Sequence, residues 1–162
     1  MDRLGFWFLL VLENKNVNNL TSETEDDDTI LAVAEDIKQT TNDYILKVLS
    51  RNFKGYPLEE LVADLLRSMG YRTTVSKQGG DHGIDIIAYK DELPPRIIIQ
   101  VKSQDAAVKE ETIQSLKGAM MPGDYGLFVS LSGYQKNAER FLERNPMIRG
   151  MDGEELAGLI LK

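Results

Sequence analysis

The segment Arg96-Ile97-Ile98-Ile99-Gln100-Val101-Lys102 constrains the fold of this chain more than any other. It is β-branched and apolar along most of its length, the pattern of a strand buried inside a sheet. Within it stand an amide and an ammonium two residues apart. Side chains alternate across a strand, so Gln100 and Lys102 share one face while Ile99 and Val101 share the other. A polar pair on one face of such a strand needs either a partner or a task.

The surrounding pattern builds a sheet around that strand. Ile84 to Tyr89 reads as a second strand, after a loop from Lys77 to Gly83, and Asp91 to Pro95 as the turn between the two. A turn centred near residues 92 and 93 brings Asp85 opposite Gln100. A carboxylate, an amide oxygen and an ammonium then gather at the strand ends, whereas a slip of one residue would part them. Upstream, Pro57 suits a first helical turn and Leu58, Leu61, Val62, Leu65 and Leu66 lie on one face, so the spacing predicts a helix from about Pro57 to Met69, stopped at Gly70. Tyr71 to Ser76 alternates as a strand. Beyond Lys102 come a helix from about Lys109 to Met121, a buried strand Tyr125 to Ser130, a helix from about Tyr134 to Arg144, a short strand near Ile148 and a helix from about Asp152 to Leu161. This order predicts an α/β fold with a mixed central β-sheet flanked by helices on both faces.

Residues 1–52 read differently. Asn14 to Asp28 is rich in Asn, Thr, Ser, Glu and Asp and reads as a solvated linker. From Thr29 the apolar residues recur at helical spacing, as one long or two short helices. We therefore expect an acidic appendage over 1–52, with an apolar strand or helix near Leu4 to Leu12, and one domain over 53–162. The apolar stretch would pack on the body or on a second subunit, which points to a homodimer. It is far shorter than the roughly 18 residues of a membrane span, and neither a membrane partner nor a signal peptide is expected.

Charge argues at first against nucleic acid, since the formal net charge is −7. The first 50 residues hold 10 acidic and 4 basic side chains, however, and the rest hold 16 and 15. The larger part is thus nearly neutral. The chain has no cysteine, which excludes disulfides, thiolate metal sites and thiol nucleophiles and fits a reducing, cytoplasmic setting.

A carboxylate and a second oxygen ligand on adjacent strands suit a hard divalent cation such as Mg²⁺, with Mn²⁺ as a substitute. A lysine two residues on can orient or help deprotonate a water and steady charge developing on phosphorus. Glu59 or Glu60, on the preceding helix, could complete the shell. Together these residues form a plan for phosphodiester hydrolysis.

Three stretches then coincide with a known pattern. Leu58-Glu59-Glu60-Leu61-Val62 with Leu65-Leu66 and Met69-Gly70-Tyr71, Gly80-Asp81-His82-Gly83-Ile84-Asp85-Ile86-Ile87-Ala88, and Ile99-Gln100-Val101-Lys102-Ser103 resemble the catalytic domain of Mrr-type restriction endonucleases, in the PD-(D/E)XK nuclease superfamily. The likeness runs on through Gly126 to Ser130, Gly133 to Phe141 and Met151 to Leu156, over roughly residues 53 to 161. The resemblance implies a restriction-endonuclease-like core of order α-β-β-β-α-β and a Mg²⁺-dependent DNA endonuclease of the type IV restriction kind. It maps the site onto Glu59, Asp85, Gln100 and Lys102, with Asp85, Gln100 and Glu59 holding the metal. His82, Lys77 and Ser103 are candidate DNA contacts. Leu58 replaces the usual Phe, and His82 stands where Gly is frequent.

Blander roles compete at each position. Asp85 could cap a turn, Lys102 could be a solvated edge charge, and either glutamate could serve the helix dipole. Asp81 suits loop shaping, and His82, the sole histidine, a loop or DNA contact. Gly79, Gly80 and Gly83 lack the Lys-Ser or Lys-Thr of a phosphate-binding loop. Phe6-Trp7-Phe8 reads as core or subunit contact, since no basic residue is interleaved. Two other functions are open to the same fold: a non-catalytic DNA-binding or assembly module, and a nuclease acting on branched or damaged DNA. Residues 1–52 carry no basic recognition helix, so sequence reading would fall to a DNA-recognition domain or partner subunit outside this chain.

Overall fold

The computed structural model describes residues 27–77, 83–91 and 93–162. The expectations for Leu4 to Leu12, for Phe6-Trp7-Phe8, for most of the linker and for Gly79, Gly80, Asp81 and His82 lie outside the described residues. The chain divides into two compact units, Met1–Ile45 and Leu46–Lys162. Helix α1 (Asp27–Asn52) crosses that boundary as one continuous helix. The Thr40–Thr41 pair does not break it, because the Thr41 hydroxyl donates to the Ile37 carbonyl at 2.7 Å and so is satisfied inside the helix. Asp27 and Asp28, the end of the expected linker, already belong to the backbone of its first turn.

In the second unit the order is α2 (Tyr56–Ser68), β1 (Arg72–Val75), β2 (Ile86–Tyr89), β3 (Arg96–Lys102), α3 (Glu110–Ala119), β4 (Tyr125–Ser130), α4 (Lys136–Arg144), β5 (Ile148–Asp152) and α5 (Gly153–Ile160). The five strands form one sheet in sequence order. β1, β2 and β3 pair antiparallel, and β3, β4 and β5 parallel, so this is the mixed α/β sheet that the sequence predicts. β2 and β3 pair as Ile86 with Ile99 and Ile87 with Ile98, the register that sets Asp85 opposite Gln100.

Burial explains why β3 lies central. Its Ile98 joins Val108, Ile113, Leu116, Phe128, Ala138, Phe141 and Ile148 in a core between the sheet and helices α3 and α4. Full burial of each large side chain stabilises the fold by about 1.5–3 kcal/mol. On the alternate positions Ile86, Ala88, Ile99, Val101 and Val129 are buried as well. α2 rests chiefly on β1 and β2 and buries Leu58, Val62, Ala63, Leu65 and Leu66.

Two elements begin two residues later than the pattern suggests, each for a polar reason. α4 starts at Lys136 instead of Tyr134, because Tyr134 is used as a cross-strand tie. Its hydroxyl donates to the Phe128 carbonyl at 2.6 Å and accepts from the Met151 N–H at 2.9 Å, joining β4 to β5. β2 starts at Ile86 instead of Ile84, for the reason that defines the site below.

Candidate active site

Asp85 lies just before β2 and is held on three sides. Its N–H donates to the Ile99 carbonyl at 2.9 Å, its carbonyl accepts from the Ser76 N–H at 2.8 Å, and its Oδ2 accepts from the Val101 N–H at 2.7 Å. A side chain thus takes the β3 donor that a backbone carbonyl would otherwise take, which ends the ladder and fixes the carboxylate at the point where β2 and β3 part. Burial pushes the Asp85 carboxyl above the usual carboxylate range, against the Val101 hydrogen bond and the Lys102 charge, which pull it down.

Glu59 faces the same place from the first turn of α2. Burial, and after it the negative charge of Asp85, raises its pKa, while Lys102 lowers it and Glu60 adds a further upward push. Glu60 is engaged elsewhere: it accepts a 2.6 Å hydrogen bond from the Tyr56 hydroxyl. Spacing alone leaves either glutamate open and the resemblance names Glu59; in the fold the two have different surroundings.

Gln100 is 5% exposed, and its Oε1 is buried without a hydrogen-bond partner among the described residues. Burying such an oxygen unpaired costs on the order of 1–3 kcal/mol, so its persistence points to a ligand that completes it. Gly83 lies directly over the amide: a Cβ there would come within 2.9 Å of Gln100 Nε2. Among the described residues no three His, Asp or Glu side chains converge as a metal cage. The donor set consists instead of two carboxylates and one amide oxygen, which are hard oxygen ligands of the kind Mg²⁺ and Mn²⁺ accept. The residues present therefore fit a divalent cation.

The chain's own match decides its family, for residues 50–160 fit the profile of Mrr_cat, a restriction endonuclease family. The chain belongs to the Mrr_cat restriction endonucleases. The type IV methyl-directed restriction enzyme EcoKMrr of Escherichia coli (strain K12) is 25% identical to it over 149 residues, which cover 87% of this chain and 49% of that protein. The chain thus spans about half the length of that curated relative. The MspJI restriction endonuclease, solved in complex with a 27-mer oligonucleotide, superposes with a TM-score of 0.57 at 19% identity, over 86% of this chain and 34% of that one. That likeness concerns the fold, and an Mrr_cat core with a mixed five-stranded sheet agrees with it.

The remaining candidates divide. Lys77 is exposed just beyond β1, next to Ser76, whose N–H anchors Asp85. Ser103 accepts a hydrogen bond from the Gly55 N–H at 3.0 Å, so its hydroxyl has a partner within the protein. Sequence reading did not find the packing of Gly83 on Gln100 or the Tyr56–Glu60 pair. The first had one signal, a glycine two residues before the key aspartate. No helix among the described residues is long and apolar enough to cross a membrane.

Proposed function

We propose that this chain is a divalent-metal-dependent DNA endonuclease that hydrolyses phosphodiester bonds, acting in restriction of foreign or modified DNA. Residues 53–162 form its catalytic domain and 1–52 an acidic appendage. The observation that carries the reading is the buried, unpartnered Oε1 of Gln100 on the same strand as Lys102 and opposite Asp85. Asp85, Gln100 and Glu59 would hold Mg²⁺, or Mn²⁺ in its stead. The bound cation would supply Lewis acidity at a phosphate oxygen and offset the charge of the two carboxylates.

The protein's own groups do the rest. Lys102 is half-buried at the end of β3, where its ammonium orients a water for in-line attack on phosphorus and steadies the charge that grows on the phosphate oxygens. Asp85, fixed by the Val101 N–H, would present its carboxylate to the cation without having to reorient. Glu59 in its carboxylate form would complete the oxygen shell. DNA is the partner. Because residues 51–162 carry a net charge of only −1, phosphate neutralisation falls to the cation and to a second copy of the chain or a DNA-recognition subunit.

Incubation of supercoiled plasmid with the protein and MgCl₂ tests the reading. Nicked and linear products should form, vanish with EDTA, and vanish in Lys102→Ala and Asp85→Ala. Undiminished cleavage by either variant would overturn the assigned chemistry. Parallel reactions on methylated, unmethylated and branched DNA assign the substrate.

A further inference from the structure

The strand that carries Lys102 and the helix that carries Glu59 are joined by a short relay of hydrogen bonds. Ser103, the residue after Lys102, accepts from the Gly55 N–H at 3.0 Å. The Gly55 carbonyl then accepts from Leu58 N–H at 2.9 Å and Glu59 N–H at 3.3 Å. Two successive bonds therefore link the end of β3 to the backbone of Glu59.

Among the described residues the first turn of α2 is otherwise fixed by its buried Leu58 side chain; α2 has no side-chain N-cap and rests mainly on β1 and β2. A further tie between the same two segments is the Lys54–Asp105 ion pair, at 3.8 Å with both side chains exposed, and exposed pairs contribute little.

We propose that Ser103 is a positioning residue whose hydroxyl, through Gly55, holds the first turn of α2 so that Glu59 stays beside Asp85 and Lys102. The inference rests on the nuclease reading for its functional meaning, though the tether itself can be measured without activity.

The test compares Ser103→Ala and Ser103→Thr with wild type in the full chain, alone and combined with Glu59→Gln. Loss of the Gly55–Ser103 bond should speed Gly55 amide exchange, followed by NMR, by about fivefold to tenfold, and Thr should restore protection. Plasmid cleavage should fall about tenfold in kcat for Ser103→Ala with KM for DNA little changed, and recover in Ser103→Thr. In the Glu59→Gln background, Ser103→Ala should add less than about twofold, because both changes remove the same contribution. Fully additive losses, or equal damage from Thr and Ala, would overturn the proposal. Mn²⁺ affinity, read by EPR titration, separates it from the nuclease reading. An inactive wild type refutes the latter alone. Unchanged Gly55 exchange and unchanged Mn²⁺ affinity in Ser103→Ala refute the tether whatever the cleavage result.

Discussion

Replacing Gly83 by alanine probes the geometry around Gln100 directly, and the fold contains its own control. Gly83 has φ +73° and Gly133 has φ +72°, so both lie in the left-handed region, where an L side chain costs about 1–2 kcal/mol. A Cβ on Gly133 would meet nothing within 4 Å, whereas one on Gly83 would come within 2.9 Å of Gln100 Nε2. Gly133→Ala should therefore lose about 1–2 kcal/mol of unfolding free energy and cleave DNA as wild type does. Gly83→Ala carries the same backbone strain and an added contact. Gln100 is 5% exposed, so its amide has to shift within the site. Misplacement of about 1 Å at a reacting centre costs on the order of 10²-fold in rate. Scaled on the logarithm, a shift of about 0.3 Å should lower cleavage by about fourfold. Urea unfolding gives the stability of each variant, and initial rates of plasmid nicking at saturating Mg²⁺ give the activity. If Gly83→Ala cleaves within about twofold of Gly133→Ala at matched stability, the orientation of Gln100 does not matter and the assigned shell is wrong.

Other perturbations report on other parts of the site. Lys102→Ala should reduce nicking by about 10²–10⁴-fold with little change in melting temperature, and Lys102→Arg should not restore it, since a planar fork does not replace a compact ammonium. Burial, with the Asp85 charge next, raises the Glu59 pKa, and burial raises that of Asp85. A raised carboxyl favours the protonated native state, so metal-free protein should lose stability as pH climbs from the ordinary carboxylate range near about 4 through the raised values. Glu59→Gln should flatten that decline and melt higher than wild type in EDTA at neutral pH, and a lower melting temperature would contradict the raised pKa. Away from the site, Arg96 binds Asp124 through Nε at 2.7 Å and Nη2 at 2.9 Å. Arg96→Met should cost about 2–3 kcal/mol in urea unfolding, because it strands a buried carboxylate. Gln100→Glu should tighten Mg²⁺ binding by calorimetry and lower metal-free stability; weaker binding would remove Gln100 from the shell.

Most of the fold is legible in the sequence because its strands are apolar and its helices amphipathic, and the same pattern fixes the register of β2 on β3. The departures come from polar side chains that act on backbone at a distance. Ile84-Asp85 reads as strand, and nothing local reveals that the Asp85 carboxylate will take the Val101 N–H sixteen residues away. Tyr134 fits the helical period of the residues after it, yet the Phe128 carbonyl and Met151 N–H claim its hydroxyl. The site shows the same division. Asp85, Gln100 and Lys102 follow from alternation and a turn, whereas the choice between adjacent Glu59 and Glu60 depends on the rotation of α2 about its axis. A one-residue step turns a helix by about 100°, so Glu60 meets Tyr56 four residues back on the same helix, whereas the approach of Glu59 to Asp85 depends on how α2 packs on the sheet.

On the proposed reading, the amide at position 100 would let the site fold without a cation. Two carboxylates already sit at a cost, each with its pKa raised by burial. A third at a position 5% exposed would add a buried negative charge facing two others, and Lys102 alone could not offset it. An amide supplies oxygen without charge, and left unpaired it costs less than an unpaired buried carboxylate. Metal affinity would be lowered in exchange, so that occupancy would depend on the phosphate arriving with the substrate. In a domain that is nearly neutral overall, cation and DNA would thus bind as one cooperative event, with the protein contributing alignment more than attraction.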